Sequence, residues 1–137
     1  MAYVTTAQLI SEFGESALIA LTDKSRQGVI DQVALDRAVA SAEATVNGYV
    51  GGRYTLPLLP VTEDVVGAMF AIVRYILDGE NGNEAVAKRH AAAIVWLKDV
   101  SAGRAVLSGV AALAPVAPAS SRIDIRSQSS VFGRGVR

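Results

Sequence analysis

Apolar residues recur every three or four positions along three long stretches of the chain, which is the spacing of a helix with one buried face. Each stretch follows a residue that favours helix N-caps: Asp31, Thr62 or Asn83. The pattern therefore predicts helices over about 31–50, 63–78 and 83–102. The 63–78 helix has two apolar faces, so it is either the central helix of a bundle or covered on one face by another subunit.

Two shorter elements are predicted before these helices. Thr5 and Gln8 have the spacing of a capping box, which starts a helix that runs to about Phe13. The stretch "ESALIALT" predicts another short helix, and the polar stretch "DKSRQG" separates it from the rest. The expected fold is all-α, a small bundle of four to five helices.

The connector, defined as residues 47–65 ("NGYVGGRYTLPLLPVTEDV"), is unusually apolar for a segment between helices. Its glycine pair ends the preceding helix. We expect the connector leucines to pack against the outside of the bundle. Arg53 and Tyr54 are the best candidates in it for a surface offered to the next subunit. The leucines in question are Leu56, Leu58 and Leu59.

The character of the chain changes at Gly109, where alanine, proline, serine and glycine replace the helical pattern. We divide the chain into a helical body, residues 1–108, and an extended C-terminal arm, residues 109–137. Alternation around Asp124 predicts a short strand, which needs a partner edge. Val131 and Phe132, an apolar pair near the end, are suited to anchor the arm to a partner. The candidate interface residues of the arm are Arg122, Ile123, Ile125, Arg126, Val131 and Phe132.

Charge is balanced overall but unevenly distributed. Residues 1–99 carry 8 Lys/Arg against 12 Asp/Glu, whereas residues 100–137 carry five arginines against Asp124. A net charge of zero provides no global field for nucleic acid or an anionic membrane. The basic end nevertheless supports an alternative function, a small helical nucleic-acid-binding module. Its candidate contacts are Arg104, Arg122, Arg126, Arg134 and Arg137.

The sequence contains few residues in arrangements that are typical of catalytic sites. The chain has no cysteine, and its one histidine, His90, has apolar neighbours at helical spacing instead of a second ligand or a carboxylate. We predict no catalytic, cofactor-binding or metal-binding residues and do not favour an enzyme.

The helices also contain candidate interface residues. Arg74 and Asp78 are spaced as an i,i+4 ion pair that suits an interface. Trp96 suits an interface as well, because it lies off the inner stripe of its helix. The longest uncharged helical run, 65–73, is far shorter than the roughly 20 residues of a membrane span, so no membrane partner is expected.

The order of motifs resembles one known family. The motifs are the opening "YVTTAQLISEFGE", the connector core and "FAIVRYIL" downstream, over roughly residues 1–107. Together they resemble the Mu-like phage and prophage neck proteins, which are head-completion or head-tail connector proteins. The connector core consists of Tyr49, Arg53, Tyr54, Leu56, Pro57 and Leu58.

The resemblance implies a structural virion protein in the neck of a tailed phage, made in the cytoplasm of the bacterial host. Such an adaptor forms a ring of roughly twelvefold symmetry through head-to-tail contacts that close. Its expected partners are copies of itself, the portal protein, and a tail terminator or other neck and tail proteins. DNA would only pass through the channel that the ring extends. The family supplies no catalytic residues. We expect the strand of the arm to add to a sheet edge on an adjacent subunit, on the portal or on the tail.

Overall fold

The structure is a computed structural model that describes residues 2–113. It contains five α-helices and one 3₁₀ turn, and no β-sheet among the described residues, so the predicted all-α bundle is confirmed. The strand predicted in the arm lies outside the described residues. The helices are α1 (Thr6–Phe13), α2 (Glu15–Thr22), α3 (Gln32–Val50), α4 (Glu63–Asp78) and α5 (Glu84–Ala102), with the 3₁₀ turn at Gly79–Asn81.

Side-chain caps begin four of the helices where the sequence predicts them. The Thr5 hydroxyl accepts from the Gln8 N–H, and the Gln8 side chain accepts from the Thr5 N–H, which completes the capping box of α1. Asp31, Thr62 and Asn83 accept backbone N–H groups at the starts of α3, α4 and α5. These bonds satisfy amides that no helical carbonyl can reach, which explains why the predicted starts are confirmed.

Helix α4 is the centre of the bundle, because it packs against α2, α3 and α5. Its buried face carries Val65, Met69 and Ile72, each 2% exposed or less. The central-helix interpretation is therefore confirmed for that face. The same helix ends at the surface, where Tyr75 and Ile76 are exposed. Within residues 2–113, no helix is long and apolar enough to cross a membrane.

The loop between α2 and α3 is organised by one carboxylate. Asp23 accepts the N–H of Gln27 at 3.0 Å and of Gly28 at 2.6 Å. These backbone hydrogen bonds stabilise the charged form and lower the pKa of Asp23 below its usual value of 3.8. Thr22 supports the loop from inside, since its hydroxyl accepts the N–H of Asp31 and donates to the carbonyl of Leu18.

Candidate functional site

The connector is attached to the bundle by a tyrosine from the amino terminus. Tyr3 donates its hydroxyl to the Asn47 side-chain oxygen at 2.6 Å and accepts the backbone N–H of Leu58 at 3.1 Å. Leu58 is fully buried, whereas Leu56 and Leu59 are 40% and 62% exposed. The expectation that all three leucines pack on the bundle is therefore correct for Leu58 and wrong for Leu59.

The position of Tyr54 contradicts the interface role that the sequence predicted for it. Its side chain is only 5% exposed, and its hydroxyl accepts the backbone N–H of Leu107 at 2.9 Å. An apolar ring with a bonded hydroxyl is well placed in a core. The structure thus places Tyr54 inside its own chain instead of on a surface offered to a neighbour.

The first residues of the arm pair with the connector. Tyr54 and Ala112 form an antiparallel bridge, in which Thr55 donates to the Ala111 carbonyl and Leu113 donates to the Arg53 carbonyl. The two N···O distances are 3.1 and 2.9 Å. The described chain therefore leaves the bundle at a defined place beside the connector.

Arg53 is exposed, and its guanidinium covers the end of α5. A Cβ atom built at Gly103 would lie 2.6 Å from one guanidinium nitrogen of Arg53, so a larger residue here would displace the end of the arginine side chain. Gly103 also has a φ of 84° in the left-handed region that ends the helix. The positive group lies at the carbonyl end of α5, where the helix dipole favours a cation.

Arg74 and Asp78 form the predicted ion pair on α4. The Arg74 Nε and the Asp78 carboxylate oxygen are 3.3 Å apart, with both side chains partly or largely buried. The guanidinium also lies 5.7 Å from the ring centre of Phe13, and that ring meets Phe70 edge-on at 5.9 Å. These contacts attach α1 to α4 and place Arg74 at the edge of a groove.

An open groove of about 750 Å³ runs between the outer faces of α4 and α5, which we call the α4–α5 groove. Its floor contains small residues, including Gly67, Ala71 and Ala92, and Trp96 lines it from α5. Glu12, at the end of α1, borders it as well. Two predicted interface residues, Arg74 and Trp96, are therefore brought together, whereas Arg53 and Tyr54 lie in the separate connector region.

The sequence interpretation missed the floor of this groove and Tyr3. The signal for the groove floor was the spacing of Gly67 and Ala71, two small residues one turn apart on α4, which line the groove together with Ala85 and Ala92 of α5. The six arm residues Arg122, Ile123, Ile125, Arg126, Val131 and Phe132 lie outside the described residues, so their interface role stays a prediction.

His90 packs, within residues 2–113, against an aromatic ring and not against a reactive group. Its ring stacks on that of Tyr75, with centres 3.9 Å apart and planes at 11°. Burial lowers the pKa of His90 below its usual 6.5, because desolvation disfavours the charged ring. Across the described part of the chain, no group of three or more histidine, aspartate or glutamate residues is arranged to hold a metal ion.

This shift in pKa predicts a pH effect on stability. Below about pH 6.5 the unfolded chain binds a proton at His90 more readily than the folded chain, so stability should fall as the pH drops through 6.5 towards the lower folded pKa. We expect the urea midpoint of wild type to fall more than that of His90→Gln between pH 7.5 and 5.5. Equal pH slopes for the two proteins would contradict this prediction.

The fold and the groove define a small all-α bundle protein with an open apolar groove along its surface. A connector rich in apolar residues joins two of its helices, and residues 111–113 are hydrogen bonded to that connector.

The chain belongs to the Bacteriophage Mu Gp36 family, whose model matches residues 3–126. It is similar to Gene product J of Escherichia phage Mu, with 25% identity over 136 residues that cover 98% of this chain and 96% of that protein. It is also similar to the Mu-like prophage FluMu protein gp36 of Haemophilus influenzae, with 27% identity over 105 residues, 77% of this chain and 74% of that protein. The resemblance to Mu-like phage proteins is thereby confirmed, and this is a Mu-like phage protein.

Proposed function

We propose that this protein is a head-tail connector, a head-completion adaptor that forms a ring between the portal and the tail of a tailed bacteriophage. In this role it is a structural component of the virion neck that extends the DNA channel and catalyses no reaction. The observation that carries the proposal is the match to a phage Mu family over residues 3–126, which includes the body and much of the arm. Its partners are further copies of itself, the portal protein, and a tail terminator or other neck and tail proteins.

The position of the start of the arm supports a function that consists of binding other proteins. Residues 111–113 are hydrogen bonded to the connector, so the segment that follows starts from a fixed point on the bundle. A segment anchored at its start in this way suits the arm of an adaptor that holds a neighbour. The strand proposed around Ile123 and Ile125 would then add to a sheet edge through backbone hydrogen bonds.

The mass of the assembly tests this function directly. We expect the full chain, mixed with purified portal particles, to form a complex whose added mass corresponds to a ring of roughly twelve subunits. Light scattering and electron microscopy of the mixture measure this, with the full chain alone as the reference. A chain that never binds portal particles at any concentration would refute the connector function.

Arg53→Glu is expected to weaken ring assembly while the isolated chain stays folded. Arg53 is exposed beside the start of the arm, and loss of a charged hot-spot contact weakens binding by about tenfold or more. The matched control is Lys98→Glu, an equal charge change at an exposed position of α5. Sedimentation with portal particles measures assembly, and thermal unfolding confirms that both variants are folded. Equal assembly by the two variants would remove Arg53 from the proposed interface.

The nucleic-acid-binding alternative rests on the arginines of the C-terminal third. The described one, Arg104, is paired with Asp99, at 2.7 Å between a guanidinium nitrogen and a carboxylate oxygen. This pairing offsets its charge and gives the alternative no support from the described residues. The alternative predicts DNA affinity that falls steeply with salt, which a mobility-shift series over salt concentration measures.

A further inference from the structure

The floor of the α4–α5 groove has room for a side chain from elsewhere. Gly67 is exposed, and a Cβ atom built on it would meet no heavy atom within 4 Å. Ala71 and Ala92 continue the floor, and Trp96 and Phe13 border it with aromatic surface. Small residues between aromatic walls allow a bulky apolar side chain to approach the helix backbones closely.

The residues around the α4–α5 groove carry an excess of acid. Glu12, Glu63 and Asp64 all line it, and none of the three forms a salt bridge with any residue in the 2–113 region. Glu63 and Asp64 are also favourable at the start of α4, because they face the positive end of its dipole. Arg89 also lines the groove without a salt bridge to any described residue, and Arg74 is paired with Asp78. The three carboxylates therefore outnumber the one cation without such a pair and favour an occupant that is both apolar and basic.

The end of this chain has that chemistry. Residues 131–137 read "VFGRGVR", with three apolar side chains, two arginines and no acidic residue. Gly133 and Gly135, on either side of Arg134, allow the backbone to follow a narrow surface. The segment is thus complementary to the groove in both charge and apolar character.

The segment can reach the groove from where the described chain ends. Leu113 donates to the carbonyl of Arg53, whose guanidinium covers Gly103 at the end of α5. Trp96 is seven residues before Gly103, or about 10 Å along the helix axis. The 17 residues from 114 to 130 span up to about 60 Å when extended, several times the distance along α5 between Gly103 and Trp96.

We propose that the α4–α5 groove binds residues 131–137 of this chain, with Phe132 on the small-residue floor beside Trp96 and Arg134 and Arg137 at the acidic border. This contact is independent of the connector function, since it requires neither the portal nor a ring. It gives the arm a docking site on the body that is distinct from the antiparallel bridge at residue 112.

Trp96 is the only tryptophan of the chain, so its fluorescence reports on the groove. In the full-length Phe132→Ser protein, Trp96 emission shifts to the red and acrylamide quenches it more strongly than in wild type. The matched control is Ile125→Ser, which removes a large apolar side chain from the same arm outside residues 131–137. Wild-type behaviour of both variants would overturn the proposal, as would identical changes in both.

Peptide binding provides a second measurement. A peptide of residues 127–137 added to the full-length Phe132→Ser protein returns Trp96 emission to that of wild type. The same peptide with serine in place of Phe132 binds at least about tenfold more weakly, because it lacks a buried aromatic side chain. No saturable response to the wild-type peptide would overturn the proposal. A Trp96 signal that changes with protein concentration and is unaffected by Phe132→Ser would identify a second bundle as the occupant and overturn it too.

The charges are tested with the groove variant Glu12→Lys in the Phe132→Ser background. Glu12 is exposed, so reversal of its charge leaves the core untouched. It weakens binding of the wild-type peptide by about fivefold at low salt and by less at high salt. Glu80→Lys, at an exposed position in the 3₁₀ turn away from the groove, is the control and leaves the affinity unchanged. Equal affinities for the two variants would overturn the predicted position of the arginines.

Discussion

Leu58→Ala is expected to lower the free energy of unfolding by about 2–5 kcal/mol, the range measured when large side chains are truncated in well-packed cores. Leu58 is fully buried, although it lies in the segment between two helices. Its backbone N–H is bonded to the Tyr3 hydroxyl, so the backbone on either side has little freedom to close around a new cavity. Urea unfolding followed by circular dichroism measures the loss.

Leu59→Ala is the matched control for this prediction. It removes the same atoms from the adjacent residue, but the side chain there is 62% exposed. Surface substitutions usually change stability by less than about 0.5 kcal/mol. Similar losses in the two variants would show that the connector does not bind the bundle through Leu58.

The helices could be predicted from the sequence because two local signals coincide at each of them. Apolar periodicity marked α3, α4 and α5, and a side-chain cap stood immediately before each one. Both signals depend on residues within a few positions of each other. Long-range packing was not required to identify the elements or their starts.

The connector and the groove were harder to predict for physical reasons. Leu56, Leu58 and Leu59 are chemically alike, so the sequence could not indicate which one is buried. Tyr3 acts on residues 44 and 55 positions away, a contact that no local pattern encodes. The groove floor consists of glycine and alanine, whose spacing is the same in a close helix contact and in an open surface.

Arg74 and Trp96 illustrate a candidate site that was partly predictable. Each departs from the apolar stripe of its helix, and this departure suggested an interface. The structure places both along the α4–α5 groove, although the sequence did not indicate that they share a surface. Tyr54 was predicted as an interface residue from its place in the connector but lies in the core, where its hydroxyl bonds a backbone partner 53 residues away.

Tyr54→Phe is expected to cost about 1–3 kcal/mol of stability, the penalty for a buried donor that loses its partner. The Leu107 N–H donates to the Tyr54 hydroxyl at 2.9 Å, and both residues are at most 5% exposed. Phenylalanine retains the ring and its packing, so the loss isolates one hydrogen bond. The same bond holds the backbone between the end of α5 and the bridge at Ala112, and its removal should loosen the start of the arm.

Hydrogen exchange separates this local effect from general destabilisation. In Tyr54→Phe, the Leu107 amide should exchange faster than the fall in global stability alone explains, because its acceptor is gone. Tyr75→Phe is the control, since Tyr75 is exposed and removal of its hydroxyl should change stability by less than about 0.5 kcal/mol. If Leu107 stays protected while stability falls, the Tyr54 hydroxyl stabilises the core by another route and does not fix the base of the arm.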